Sequence, residues 1–187
     1  MNIKGFLCLA MLVIAISSQA QDLRVFVNAK GKVGYADSSG NEVIKCQYES
    51  GQPFNISGTA IVSKSGKYGI IDSTGVVRLP LKYTQITPWN AELYLIKSGK
   101  KMGLADHNGS IVLPANYSYI SRLNCYGRAL IAIGGKATQN DKKTYMANAK
   151  YGIIDSLGNI LIDAKYRGLY EFSNYINGVN SQAGNAC

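Results

Sequence analysis

Sulfur, histidine and long apolar runs are all scarce in this 187-residue chain, and each scarcity excludes something. Its only long apolar run, "FLCLAMLVIAI", falls short of the roughly 20 residues that span a bilayer. Lys4 precedes it, and the small-x-small pattern of Ser18 and Ala20 follows. Residues 1–20 therefore read as a secretory signal peptide removed before Gln21, and Cys8 stands too early to carry a lipid anchor. The protein is expected outside the cytoplasm, in the periplasm or beyond, with no stable membrane insertion after cleavage. Three cysteines then remain, at 46, 125 and 187. An odd count permits one internal disulfide at most, Cys125–Cys187 being a conceivable bridge that ties down the tail. A sulfur-stapled scaffold is excluded, so packing must hold the fold. From Gln21 onward the chain is long enough for one domain with a core of its own.

Acidic residues are also few: 11 Asp and Glu against 20 Lys and Arg, a net charge of +9. Such a balance invites a nucleic-acid reading. Export argues against it, and so does the spread of lysines along the chain, several of them at fixed repeat positions. Weak attraction to an anionic envelope polymer or membrane surface is what the charge leaves.

What the chain has in abundance is repetition. One phrase occurs four times: "KVGYADSSG" at 32–40, "KYGIIDSTG" at 67–75, "KMGLADHNG" at 101–109 and "KYGIIDSLG" at 150–158. A glycine recurs at Gly34, Gly69, Gly103 and Gly152, and an aspartate at Asp37, Asp72, Asp106 and Asp155. Each copy closes on a tyrosine (Tyr48, Tyr83, Tyr117, Tyr166), then on a bulky apolar residue (Phe54, Trp89, Leu123, Phe172). Alternation turns each copy into strands. The first half of the phrase is one strand, and the Asp-Gly turn leads into a second. That second strand presents Leu79, Leu81 and Tyr83 on one face, or Ile44, Cys46 and Tyr48 in the first copy. Pro80 and Pro114 place it at a sheet edge, because proline donates nothing to a ladder. A further strand precedes each phrase ("LRVFVN", "TAIVSK", "LYLIK", "RALIAI"). It is apolar on both faces, which predicts the most enclosed position of the three.

At these residues the chain resembles the WG, or KWG, repeat proteins of bacteria. It departs from them at the signature tryptophan, where Val33, Tyr68, Met102 and Tyr151 stand. The resemblance implies an all-β repeat array, commonly exported or envelope-associated, whose repeated residues are architectural rather than catalytic.

Chemistry is thin in the remaining residues. The four aspartates offer one carboxylate per turn, against the dense oxygen spacing of calcium loops, and read as turn caps. His107 sits at the tip of the third turn without a repeated partner and reads as solvated. Cys46 fills a strand slot held elsewhere by Leu81, Ala115 and Ala164, and reads as a small buried hydrophobe. No zinc spacing, phosphate-cradling glycine loop or paired-carboxylate constellation is present, so no cofactor or metal is expected.

One segment breaks the frame. Between Ile133 and Lys150 the fourth copy carries "GGKATQNDKKTYMANA", with Lys136, Lys142, Lys143 and Tyr145, in place of a tight hairpin. As a long loop over 134–149 it is either a tolerated insertion or an interface.

The expected fold is all-β: four repeats of a three-stranded antiparallel unit, stacked as an open twisted array or closed in a propeller-like ring. The units fall at about 23–54, 59–89, 92–123 and 128–172, in a repeat domain over 21–172 with a tail at 173–187. The expected function is a non-enzymatic binding or scaffold module contacting protein or glycan of the envelope, with no nucleic acid partner. The competing expectation is a hydrolase acting on an envelope polymer through the 134–149 region.

Overall fold

A computed structural model describes residues 23–140 and 143–167, and within them the alternating segments form antiparallel sheets in an open arrangement. The first sheet has three strands in chain order, β1 (Arg24–Val27), β2 (Val33–Ala36) and β3 (Glu42–Tyr48). Each later sheet has four. They are β4–β7 (Ser50–Gly51, Thr59–Lys64, Lys67–Asp72, Val77–Tyr83) and β8–β11 (Gln85–Pro88, Leu93–Ser98, Lys101–Asp106, Ile111–Tyr117). The last is β12–β15 (Tyr119–Ile120, Arg128–Asn140, Lys143–Asp155, Ile160–Tyr166). Phe172, the tail and residues 1–20 lie outside the described residues.

The extra strand in the later sheets is a finding the sequence did not offer. Segments expected to be plain linkers (β4, β8, β12) pair with the first long strand of the next sheet. Thr84 N–H donates to Lys97 O at 2.8 Å, and Ser121 N–H to Leu130 O at 2.9 Å. Two to four residues such as "SG" or "YI" are too short to show a period. Their effect is large all the same, since each sequence unit is stitched to its successor by main-chain hydrogen bonds.

The sheets stack face to face, with an apolar core between each pair. Val33, Tyr35, Ile44 and Tyr48 of the first sheet pack on Ala60, Val62 and Ile71 of the second. Ile70, Leu79 and Tyr83 pack on Tyr94, Ile96 and Ala105 of the third. Leu104, Leu113 and Tyr117 pack on Ala129, Ile131 and Ile154 of the fourth. Each inner sheet is thus covered on both faces, which is why β5 is buried along nearly its whole length. Strand β1 is the exception. Its residues are exposed throughout, against the expectation of an enclosed strand, because no sheet among the described residues lies over its outer face.

Within every unit the last strand bulges over the invariant glycine. Tyr68 pairs with Tyr83 and Ile70 with Leu79, so two steps along β6 face four along β7. The same offset recurs in the other three sheets. The bulge breaks the strict alternation expected of the strand: Leu79 and Tyr83 enter one core while Leu81 turns into the neighbouring one. By the same geometry Cys46 points away from Ile44 and Tyr48. It is a half-buried free thiol rather than part of the core. Strands β7 and β11, carrying Pro80 and Pro114, are edge strands of their sheets.

A Cβ on Gly69 would lie 2.7 Å from Leu79 O and 2.8 Å from Leu81 Cγ, closer than real contacts allow. Gly69→Ala is expected to cost about 1–3 kcal/mol through this overpacking. A urea titration checks it, and an unchanged midpoint would mean that the bulge is free to lift.

Candidate functional site

Each Asp-Gly turn is a closed hydrogen-bonding unit. Asp37 Oδ1 accepts the Ser39 and Asn41 N–H groups at 2.9 and 2.8 Å, and Oδ2 accepts Asn41 Nδ2 at 2.9 Å. Asp155 repeats the arrangement with Leu157 and Asn159, all at 2.9 Å. Asp106 accepts Ser110 N–H at 2.8 Å. Asp72 accepts from Thr74 and Val76 N–H, from Thr74 Oγ1 at 2.6 Å, and from Arg78 Nε at 2.7 Å. Burial pushes the Asp72 carboxyl up, and these hydrogen bonds more than offset it, leaving it below the ordinary carboxylate range. The Asn41 side chain and main chain lower Asp37 in the same direction. The glycine three residues on, at φ between +84° and +86° in the four copies, completes the turn. Among the described residues no cluster of three or more His, Cys, Asp or Glu side chains could hold a metal.

The segment expected as a loop over 134–149 is not a loop. It extends β13 and β14 into a 13-residue two-stranded ribbon, paired from Arg128↔Asp155 out to Asn140↔Lys143. Its place as an insertion in a tight hairpin suggested a loop, but its glycines serve a bend instead. Gly134, Gly135 and Asn148 take φ of +73°, +72° and +59° at the base of the extension. Beyond the bend, Met146 and Ala149 are buried with Ala132 against Tyr119 and Tyr151 of the last sheet. The Tyr151 hydroxyl hydrogen-bonds to the Met146 carbonyl. The ribbon thus covers part of the face that in earlier units receives the next sheet, as terminal caps of repeat arrays do. Lys136 is exposed on it. Lys143 and Tyr145 are placed by the ladder, opposite Asn140 and Thr138, and Lys142 lies outside the described residues. Cys187 does too, and with it the expected Cys125–Cys187 bridge.

A second polar cluster sits between the second and third sheets, and reading the sequence missed it. The Tyr94 hydroxyl lies 2.5 Å from Asn55 Nδ2, and Asn55 Nδ2 lies 3.3 Å from His107 Nδ1. His107 Nε2 donates to Ala91 O at 2.7 Å, and the imidazole meets the Tyr94 ring edge-on at 4.9 Å. A donating Nε2 leaves Nδ1 as the acceptor for Asn55. His107 is therefore not a solvated turn tip: it locks the third turn to the linker of the second unit. Asn55, Thr59, Pro88, Ala91 and Tyr94 line, with His107, a cleft of about 210 Å³ there. The only sequence signal was that His107 replaces the serine found in the turns at Ser73 and Ser156, and its partner Asn55 lies 52 residues away.

Four stacked sheets, each with a glycine under a bulge, an aspartate in a turn and a closing tyrosine, place the chain among known repeats. The family signature described as the WG containing repeat matches residues 34–68, 68–101, 102–136 and 151–174. The chain belongs to the WG-repeat family. No curated protein and no solved structure matches it. In the four WG repeats Val33, Tyr68, Met102 and Tyr151 each pack into a different apolar cluster on the forward face of their sheet.

Two substitutions test these turns. Asp72→Asn is expected to cost about 1.5–3 kcal/mol at neutral pH, the range for hydrogen bonds to a charged group. Because folding lowers the carboxyl's pKa, its contribution is complete above the unfolded value of about 4 and fades as pH falls through the folded one. The gap between wild type and Asp72→Asn should accordingly close in acid, and denaturant midpoints at a series of pH values read it. His107→Ala should cost about 1–2 kcal/mol by freeing Asn55 and the Ala91 carbonyl. An unaltered thermal midpoint would show the cluster to be dispensable.

Proposed function

We propose that this WG-repeat chain is an exported, non-enzymatic binding or scaffold module of the bacterial envelope, contacting protein or glycan. The observation that carries the reading is where the repeated polar groups go. All four repeated aspartates are engaged by the amides of their own turns, so the residues the repeat preserves are occupied in building it. Stacked repeat arrays offer long continuous surfaces on which binding is set by positions the repeat does not constrain. The +9 charge favours an anionic partner surface. The ribbon supports this reading over hydrolysis, since buried Met146 and Ala149 make it a packed cap rather than the wall of a cleft.

Affinity recovery from a solubilised envelope fraction, together with co-sedimentation on purified peptidoglycan, tests the proposal. Saturable recovery of a discrete partner is expected. Its loss in the Lys136→Ala/Lys142→Ala/Lys143→Ala variant would assign the contact to the ribbon, and its persistence would move the contact to the sheet edges. Turnover of any polysaccharide or peptide in a broad hydrolase panel would sink the non-enzymatic reading.

A further inference from the structure

The interface that joins one unit to the next is directional, and among the described residues its two halves are left unused at opposite ends of the stack. Three observations, each a comparison with sister positions, locate them. Phe26 on β1 is 43% exposed, while its counterparts Val62, Ile96 and Ile131 are all at 0%. Tyr166 is 47% exposed, while the closing tyrosines Tyr48, Tyr83 and Tyr117 lie between 3% and 7%. The turn glycines complete the pattern. A Cβ on Gly75 would meet the Ile44 side chain, one on Gly109 the Arg78 main chain, and one on Gly158 the Val112 side chain, each in the preceding unit. Nothing lies within 4 Å of the same position on Gly40. Its missing receptor corresponds to Leu161 and Ile162, where Leu161 is 50% exposed and Ile162 only half-buried.

We infer that a second copy of this chain docks head to tail, its first sheet taking the place of a fifth unit on the fourth sheet. The Gly40 turn of one copy seats on Leu161–Ile162 of the other, and Phe26 enters the core that Tyr166 and Ile162 begin. The free outer edge of β1, which linker strands occupy in the later sheets, lies at the same end. The described residues of a single chain do not satisfy both halves. The first and fourth sheets are separated by two others, and at about 10 Å per layer they stand about 30 Å apart. Among the described residues no core cluster joins them. The ribbon overlies the Tyr119–Tyr151 side of the last sheet and leaves the β15 side open. A head-to-tail contact of this kind is heterologous and does not close on itself, so larger species grow with concentration. The inference rests on repeat geometry and holds whatever envelope ligand the chain binds.

Sedimentation velocity on the protein purified as the cell produces it reads the association. Wild type is expected to show mass that rises with concentration. Phe26→Asp alters only the head and Tyr166→Asp only the tail. Each alone should weaken association about tenfold or more, because a charge is buried without a partner. Mixing the two variants in equal amounts should restore a dimer and nothing larger, since one intact head and one intact tail remain. Both side chains are largely exposed, and circular dichroism confirms that each variant is folded. Should Phe26→Asp unfold, Cys46→Asp takes its place, at the half-buried counterpart of Leu81 on the same face as Phe26. A wild type that stays monomeric at every concentration overturns the inference. So does a Tyr166→Asp variant that associates like wild type, which would indicate a head-to-head contact, and so does a mixture that stays monomeric.

Discussion

The close approach of a bulged strand to a glycine is the constraint on which the rest of the structure depends. At Gly69 the main chain of Leu79–Leu81 lies where a side chain would otherwise be, and Gly34, Gly103 and Gly152 repeat the contact. Because the strand doubles over at that point, it gains residues relative to its partner, twists more sharply and sends its middle residue to the opposite face. Leu81 thereby reaches the core behind its own sheet while Leu79 and Tyr83 fill the core ahead. One missing Cβ lets a single edge strand contribute to two cores, and that coupling turns four small sheets into one stack.

Direction follows from the same geometry. Each sheet offers its closing tyrosine forward, and the later sheets receive the preceding unit on the opposite face, through Ala60, Val62 and Ile71 in the second and Tyr94, Ile96 and Ala105 in the third. The linker strand reinforces this polarity, since it leaves one unit and pairs with the next. A stack built of identical directional contacts has no intrinsic stopping point. In the fourth unit one part of the forward face is altered: the bent ribbon lays Met146 and Ala149 over the Tyr119–Tyr151 side of the last sheet. Among the described residues nothing comparable covers the first, whose apolar strand β1 is exposed along its length.

Much of this was legible in the chain itself. The fourfold spacing, the alternation and the proline positions were sufficient to derive an all-β repeat array, with an open stack and a closed ring both left standing, because period-two patterning and Asp-Gly turns act locally. Features that depend on neighbours were not. Leu81 and Leu79 look equivalent in a list of alternating residues, and only the bulge distinguishes them. "VFV" in β1 looks like the most enclosed strand of its unit, and only its place at the start of the array leaves it uncovered. The His107–Asn55 contact joins two units, so no local pattern could announce it. The ribbon was misread as a loop because it stands as an insertion where its siblings have a tight hairpin, whereas in the fold it continues the same ladder.

This division bears on where function can reside. In a repeat array the positions that recur are held by the demands of stacking, here the glycine, the turn aspartate and the tyrosine, and they are occupied. Individual chemistry is free to vary only where a unit departs from its siblings or where it has no sibling to contact. His107 shows the first case and is bound up in joining two units. The ends show the second: Phe26 and Tyr166 occupy core positions of the repeat and yet face solvent. An apolar side chain that is core everywhere else in the array costs solvation when it is left bare, and it does so at both ends in complementary form. The ends of the stack, rather than its repeated middle, are therefore where contacts with other molecules are most strongly favoured.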